Sequence, residues 1–232
     1  MLFRSPLIEA NRLTLPEMLR QKGYSTAAIG KWHLGWDWPG PSGVKPGVTP
    51  DGLSNVDYTR PLANGPITRG FDYFFGVDLP DFPPYVFIEN DRTLGVPTET
   101  IPTGNPDINR KGPMMKDWDP EKILPRITER AVSHIGSRVG KGEPFFLYFP
   151  LTSPHYPVVP TAEFKGKSGA GDYGDFVMQT DASVGAILEA LRRHGFEKNT
   201  LVIFTSDNGP EVASEVAIGA YARIERYGHA SM

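Results

Sequence analysis

Apolar positions along the chain fall into two spacings. Ser25–Ile29 (STAAI), Phe71–Phe75 (FDYFF), Tyr85–Glu89 (YVFIE), Phe145–Leu151 (FFLYFPL) and Leu201–Thr205 (LVIFT) are short runs of small, β-branched or aromatic residues. That is the composition of strands. The 145–151 and 201–205 runs are almost continuously apolar, as strands buried on both faces of a parallel sheet require. The 71–75 and 85–89 runs are expected near the rim, because Pro80, Pro83 and Pro84 keep the link between them out of any central ladder.

The second spacing is helical. Thr14 can cap a short helix, with Glu17 completing a capping box, Leu15, Met18 and Leu19 as its apolar face and Gly23 as its stop. From Pro125 the residues Ile127, Ala131, Val132, Ile135 and Val139 keep helical spacing, and His134 falls off that stripe, which predicts an exposed side chain. Asp172–Arg193 is the clearest helix, with Tyr173, Phe176, Val177, Val184, Ile187, Leu188 and Leu191 on one stripe. Glu211–Tyr227 is a further, Ala-rich helical stretch. Strands alternating with helices in this order predict a mostly parallel α/β sheet flanked by helices. Trp36–Gly70 and Leu94–Trp118 carry no period and read as loop.

Composition narrows the chemistry. The 232 residues bear a net charge of −3, too small to argue for nucleic acid or an anionic membrane surface. There are no cysteines, so disulfides, thiolate metal sites and a cysteine nucleophile are excluded within these residues. No apolar run is long enough to span a bilayer, and MLFRSPLIEANR lacks the apolar region of a signal peptide.

Three polar clusters each follow a strand at its carboxyl end. Lys31 and His33 follow the 25–29 run and share a face if the chain stays extended there. His155 follows the 145–151 run between Pro154 and Pro157. Asp207 and Asn208 follow Leu201–Thr205 in a Ser-Asp-Asn-Gly-Pro turn. Taken singly these are a solvated lysine, a structural histidine and an ordinary turn. In a parallel sheet the three strand ends share one edge, where α/β proteins bind ligands, and that convergence favours a catalytic crevice. A carboxylate beside an amide offers two hard oxygens, suited to Ca²⁺ or Mg²⁺.

GYSTAAIGKWHLG (23–35), FFLYFPLTSPHYP (145–157) and TSDNGPE (205–211) resemble signature segments of the type I, formylglycine-dependent sulfatases, and GFDYFFG and PPYVFIEND resemble connecting segments of bacterial members. The resemblance implies an alkaline-phosphatase-like fold and one partial catalytic domain over 1–232, truncated at both ends. It implies that Lys31 contacts the sulfate and that His33 hydrogen-bonds the hydrated formylglycine and acts as base on sulfate release. It further implies that His155 serves the bridging ester oxygen and that Asp207 and Asn208 ligate Ca²⁺. The implied substrate is a small-molecule or carbohydrate sulfate ester, the implied partner a formylglycine-generating enzyme, and the implied location periplasmic or secreted. Some parts of the family pattern have no counterpart. Ser5–Arg12 (SPLIEANR) does not match Cys/Ser-x-Pro-x-Arg, the N-terminal acidic metal pair is missing, and no lysine follows the 207–208 pair. His229 reads as a terminal residue. These residues predict a chain that does not act alone. A phosphoester or phosphonate hydrolase of the same fold, and a non-catalytic module descended from a sulfatase, are the alternatives.

Overall fold

The computed structural model describes residues 5–101 and 110–209. Its helices are α1 (Leu15–Arg20), α2 (Ile123–Ser137) and α3 (Gly171–Arg193). Its strands are β1 (Ser25–Lys31), β2 (Tyr73–Val77), β3 (Ile88–Glu89), β4 (Arg92–Thr93), β5 (Glu99–Thr100), β6 (Pro113–Met114) and β7 (Phe145–Tyr148). Five strands form one sheet in the order β4-β3-β2-β1-β7, and β5 pairs with β6 apart from it. The β2, β1 and β7 strands are parallel, with Ala28 opposite Phe74 and Tyr148 and Ile29 opposite Phe75. β3 and β4 add an antiparallel edge. The expected α/β architecture, a mostly parallel sheet flanked by helices, is what forms.

Strand alternation divides the core in two. Ala28 and Phe74 face a layer built from the loop after β1, where Trp32, Trp36, Trp38, Val56 and Leu62 are buried. Ile29, Phe75 and Val77 face α2 and α3 through Ile123, Leu124, Ile127, Ala131 and Phe176. The α2 residues follow the spacing that puts them on one helical stripe. Burying an Ile or Leu of this kind is worth about 1.5–3 kcal/mol, so α2 alone accounts for a large share of the sheet's cover.

Several sequence expectations are corrected. The 71–75 run shifts to Tyr73–Val77 and is central, since β3 and β4 screen it from the rim. Thr14 accepts from the Glu17 amide (3.3 Å), but the Glu17 carboxylate turns to Arg20 and Gln21, so the capping box is half made. His134 is half-buried rather than exposed, because one turn beyond Arg130 it stacks on Tyr73 (centroids 5.8 Å apart, planes 9° apart). The largest departure is Leu201–Thr205. It joins no ladder, and Leu201, Ile203 and Phe204 are 85%, 76% and 75% exposed. β7 therefore ends the sheet among the described residues. The Glu211–Tyr227 helix and His229 lie outside the described residues.

Candidate active site

β1 bonds the β7 side at its last residue and the β2 side beyond it. The Lys31 amide donates to Pro150 O (2.8 Å), Trp32 to Val77 O (2.9 Å) and His33 to Asp78 O (3.1 Å). The exits of β1, β2 and β7 are thereby laced into one edge. Trp32 is buried and gives its indole N–H to Gly35 O (2.9 Å). It pins the turn that carries Lys31 and His33 on either side. His33 is not extended, with φ 59°, a left-handed conformation uncommon outside glycine and often seen at functional turns.

The β7 exit is held differently. Thr152 and Ser153 are buried, and Ser153 Oγ accepts from Thr180 Oγ1 (2.7 Å) on α3. Gln179 accepts from the Thr161 amide (2.9 Å), and Asp175 from the Gly166 and Ser168 amides (2.7 and 2.8 Å). The inner face of α3 is thus more polar than its predicted stripe; Val177 and Leu188 are exposed, and Asp175, Gln179 and Ser183 are buried instead. These polar residues anchor the loop that presents His155. Its Nδ1 lies 2.7 Å from Tyr156 O. A carbonyl can only accept, so this bond takes the Nδ1 proton and leaves proton exchange to Nε2.

Asp81 brings the pieces together. The residue is 7% exposed, and its Oδ1 is buried without a hydrogen-bond partner. Burial raises its pKa, opposed by the charges of His155, Lys31 and Arg110. Lys31 and His155, from different strands, therefore act on one buried carboxylate. Neighbouring Pro80 lines a small pocket with Thr152 and Pro157, which sets the two loops side by side. Composition and spacing give no signal for Asp81, which sits in a proline-rich link with no period.

Asp207 and Asn208 stand apart on an exposed turn. The Asp207 charge reaches Tyr148, the last residue of β7, whose pKa is raised first by burial and then by that carboxylate. The turn thus lies at the β7 side of the same strand end. Ser206 Oγ donates to Asn208 O (2.5 Å), and Asn208 Nδ2 to Gly209 O (2.6 Å), which leaves the Asn208 side-chain oxygen for other partners. Among the described residues no three acidic or histidine side chains cluster as a full metal site. A separate cleft of about 600 Å³ opens between Trp118 and Val158. Both of its lysines are paired within it, Lys122 with Asp119 (3.1 Å) and Lys165 with Glu121 (2.7 Å).

The sulfatase family model matches residues 4–230. The chain belongs to the sulfatase family. It is 32% identical over 262 residues to an N-acetylgalactosamine-6-O-sulfatase of Bacteroides thetaiotaomicron, covering 97% of this chain and 48% of that protein. It is 32% identical to the N-acetylgalactosamine-6-sulfatase of Mus musculus, covering 86% of this chain and 33% of the mouse protein. Among solved structures, a sulfatase from work on glycosaminoglycan metabolism by Bacteroides thetaiotaomicron superposes with a TM-score of 0.74 at 30% identity, covering 98% of this chain and 52% of its own. A Pseudoalteromonas sulfatase at 22% identity and TM-score 0.63, covering 90% of this chain and 41% of its own, shares the fold. This sulfatase-family chain spans about half the length of the bacterial relative and a third of the mouse one. No helix among the described residues is long and apolar enough to cross a membrane.

Proposed function

We propose that the protein containing this chain is a sulfuric ester hydrolase acting on sulfate monoesters, and that residues 1–232 form part of its catalytic domain. The observation that carries this reading is the meeting of Lys31 and His155, from two strand exits, around one buried carboxylate, in a chain of the sulfatase family. Sulfated carbohydrates suit the relatives named for N-acetylgalactosamine 6-sulfate. A periplasmic or secreted location and a formylglycine-generating partner complete the proposal.

In this mechanism the Lys31 ammonium offsets charge on the sulfate oxygens, which grows on the ester bridge as the bond breaks. His155, its Nδ1 proton engaged by Tyr156 O, passes a proton from Nε2 to the leaving oxygen. His33, fixed at the end of β1 by its bond to Asp78 O, orients the nucleophile's hydroxyl and accepts its proton when sulfate departs. Formylglycine supplies the attacking oxygen and Ca²⁺ a Lewis acid when both are in place. The Asp207 carboxylate and the Asn208 side-chain oxygen, exposed on one turn, fit Ca²⁺ as two of the six to eight oxygens it takes. With no cysteine in the 232 residues, a cysteine-derived formylglycine belongs to sequence outside them.

The test is hydrolysis of 4-nitrophenyl sulfate and 4-nitrophenyl phosphate by the full-length protein. Preference for the sulfate, lost in Lys31→Ala, is the expected result. Preference for the phosphate would replace the proposal with the phosphoester hydrolase reading.

A further inference from the structure

The cleft between Trp118 and Val158 lies outside the strand-exit site. One wall is the segment 114–122, and the other is the loop 158–165 with Asp172 of α3. Lys165 and Glu121, 44 residues apart in the chain, clasp the two walls at 2.7 Å. Trp118 is held by Phe87 and Tyr85, with ring centroids 5.4 and 6.0 Å away. Its Nε1 is buried without a hydrogen-bond partner, so the indole meets the cleft with carbon and not with its N–H. The cleft is thus formed in advance, and about 600 Å³ is room for a small-molecule ligand.

Its place ties it to the β7 exit. Val158 follows His155 by three residues, which keeps their Cα atoms within about 11 Å of each other. Pro120 and Val159 line both the cleft and the small pocket that Thr152 and Pro157 share with Pro80. The cleft therefore opens beside the loop that presents His155.

Its charges select what enters. Asp117, Asp119, Glu121 and Asp172 stand against Lys122 and Lys165, four negative charges against two positive, for a net of −2. Asp119 and Glu121 hold the lysines, while Asp117 and Asp172 are exposed and form no ion pair among the described residues. An ionised carboxylate can only accept hydrogen bonds, so these two suit a ligand rich in hydroxyl donors. An anionic ligand would meet like charge. A carbon surface beside hydroxyl acceptors matches a sugar ring, with its C–H face and hydroxyl edge.

We infer that this cleft is a subsite for an uncharged sugar unit, the neighbour of the sulfated unit held at the strand exits. The inference rests on the sulfatase reading above for what occupies the exits, and on the cleft itself for what it binds.

Binding is read without turnover. Saturation-transfer NMR on the full-length protein compares lactose, which is uncharged, with a disaccharide of glucuronate and N-acetylglucosamine. Lactose is expected to show transfer to its ring protons, reduced about 5-fold or more in Trp118→Ala, and the glucuronate disaccharide is expected to show little. Trp118→Ala also removes packing on Tyr85 and Phe87, so the second variant is the double substitution Asp117→Asn with Asp172→Asn, both at exposed positions. It should fold as the wild type does and admit the glucuronate disaccharide. Absence of lactose binding, or equal binding of the two disaccharides by the wild type, overturns the inference.

Turnover then tests the link to the exits. The substrates are N-acetylgalactosamine 6-sulfate alone, joined to galactose, or joined to glucuronate. Galactose is expected to raise kcat/KM about 10-fold over the single unit, a gain that Trp118→Ala erases, and glucuronate is expected to raise it little. An active enzyme with no gain from galactose overturns the inference and leaves the proposed function standing. Lactose binding by a protein that hydrolyses none of the sulfates would uphold the sugar subsite and refute the proposed function instead.

Discussion

Gly30→Ala should dismantle the site from inside the sheet. Gly30 sits one residue before Lys31 on β1 with φ 140°, where L side chains are strained. A Cβ there would lie 2.0 Å from Pro150 O and 2.8 Å from its carbonyl carbon. That oxygen is the acceptor for the Lys31 amide. The β7 exit would have to retreat by about 1 Å or more before the contact became tolerable. The cost has three parts: roughly 1–3 kcal/mol for backbone strain, roughly 1–3 for overpacking and about 1 for the lost hydrogen bond. A total of about 3–7 kcal/mol is a large fraction of the roughly 5–15 kcal/mol that holds a typical domain together. Gly185 in α3, where an added Cβ would meet nothing within 4 Å, is the control; Ala there should be neutral or stabilise by about 0.5–1 kcal/mol. Urea unfolding of both variants reads the difference as a midpoint shift at constant slope. A loss below about 1 kcal/mol in Gly30→Ala would refute the claim that backbone contact between the β1 and β7 exits holds the edge together.

Two further outcomes are expected. Burial, and then the Arg138 charge, depress the His134 pKa from 6.5 to about 4, and its Nε2 is buried without a hydrogen-bond partner. A histidine depressed in the folded state supports stability fully above its unfolded pKa near 6.5, and that support drains away as pH falls toward about 4. Discounted for its partial exposure, the loss is about 1–2 kcal/mol, and it should vanish from the pH dependence of thermal unfolding in His134→Phe. If that variant kept the same acid sensitivity, other groups would be responsible. Separately, calorimetry should find weak or undetectable Ca²⁺ binding to the 232 residues, since Asp207 and Asn208 are too few ligands for a tight site. Sub-micromolar affinity would contradict the half-site assignment.

How much of the fold and site is legible in the sequence differs from element to element. β1 and α3 are readable because each couples a strong local pattern to a local stop, such as Gly195 after α3, whose φ is 77°; β7 is readable in place only, since it stops at Tyr148 and, at the end of the sheet among the described residues, is half-buried to exposed rather than buried on both faces. Lys31, His33 and His155 are legible as strand-end residues, and the structure brings two of them to one carboxylate. Leu201–Thr205 misleads, because an apolar run looks the same whether or not a neighbour pairs with it, and pairing is a nonlocal property. The polar inner face of α3 escapes for a related reason. Asp175, Gln179 and Thr180 turn inward to satisfy groups in a loop 7 to 27 residues away, which no helical period reports. His134 defies its off-stripe position because its cover comes from Tyr73 on β2, held by a shared bond network with Arg130 and Glu89.

Whether these strand exits form a sulfate-ester site, in which His155 and His33 handle different protons, is tested most directly by a graded series of aryl sulfates. The series is hydrolysed by the full-length protein and by its His155→Ala and His33→Ala variants, with product burst and steady state followed separately. His155→Ala is predicted to slow poor leaving groups most. His33→Ala is predicted to slow all substrates alike, by impairing release of enzyme-bound sulfate. An equal loss across the series in His155→Ala would contradict the division of protons between the two histidines.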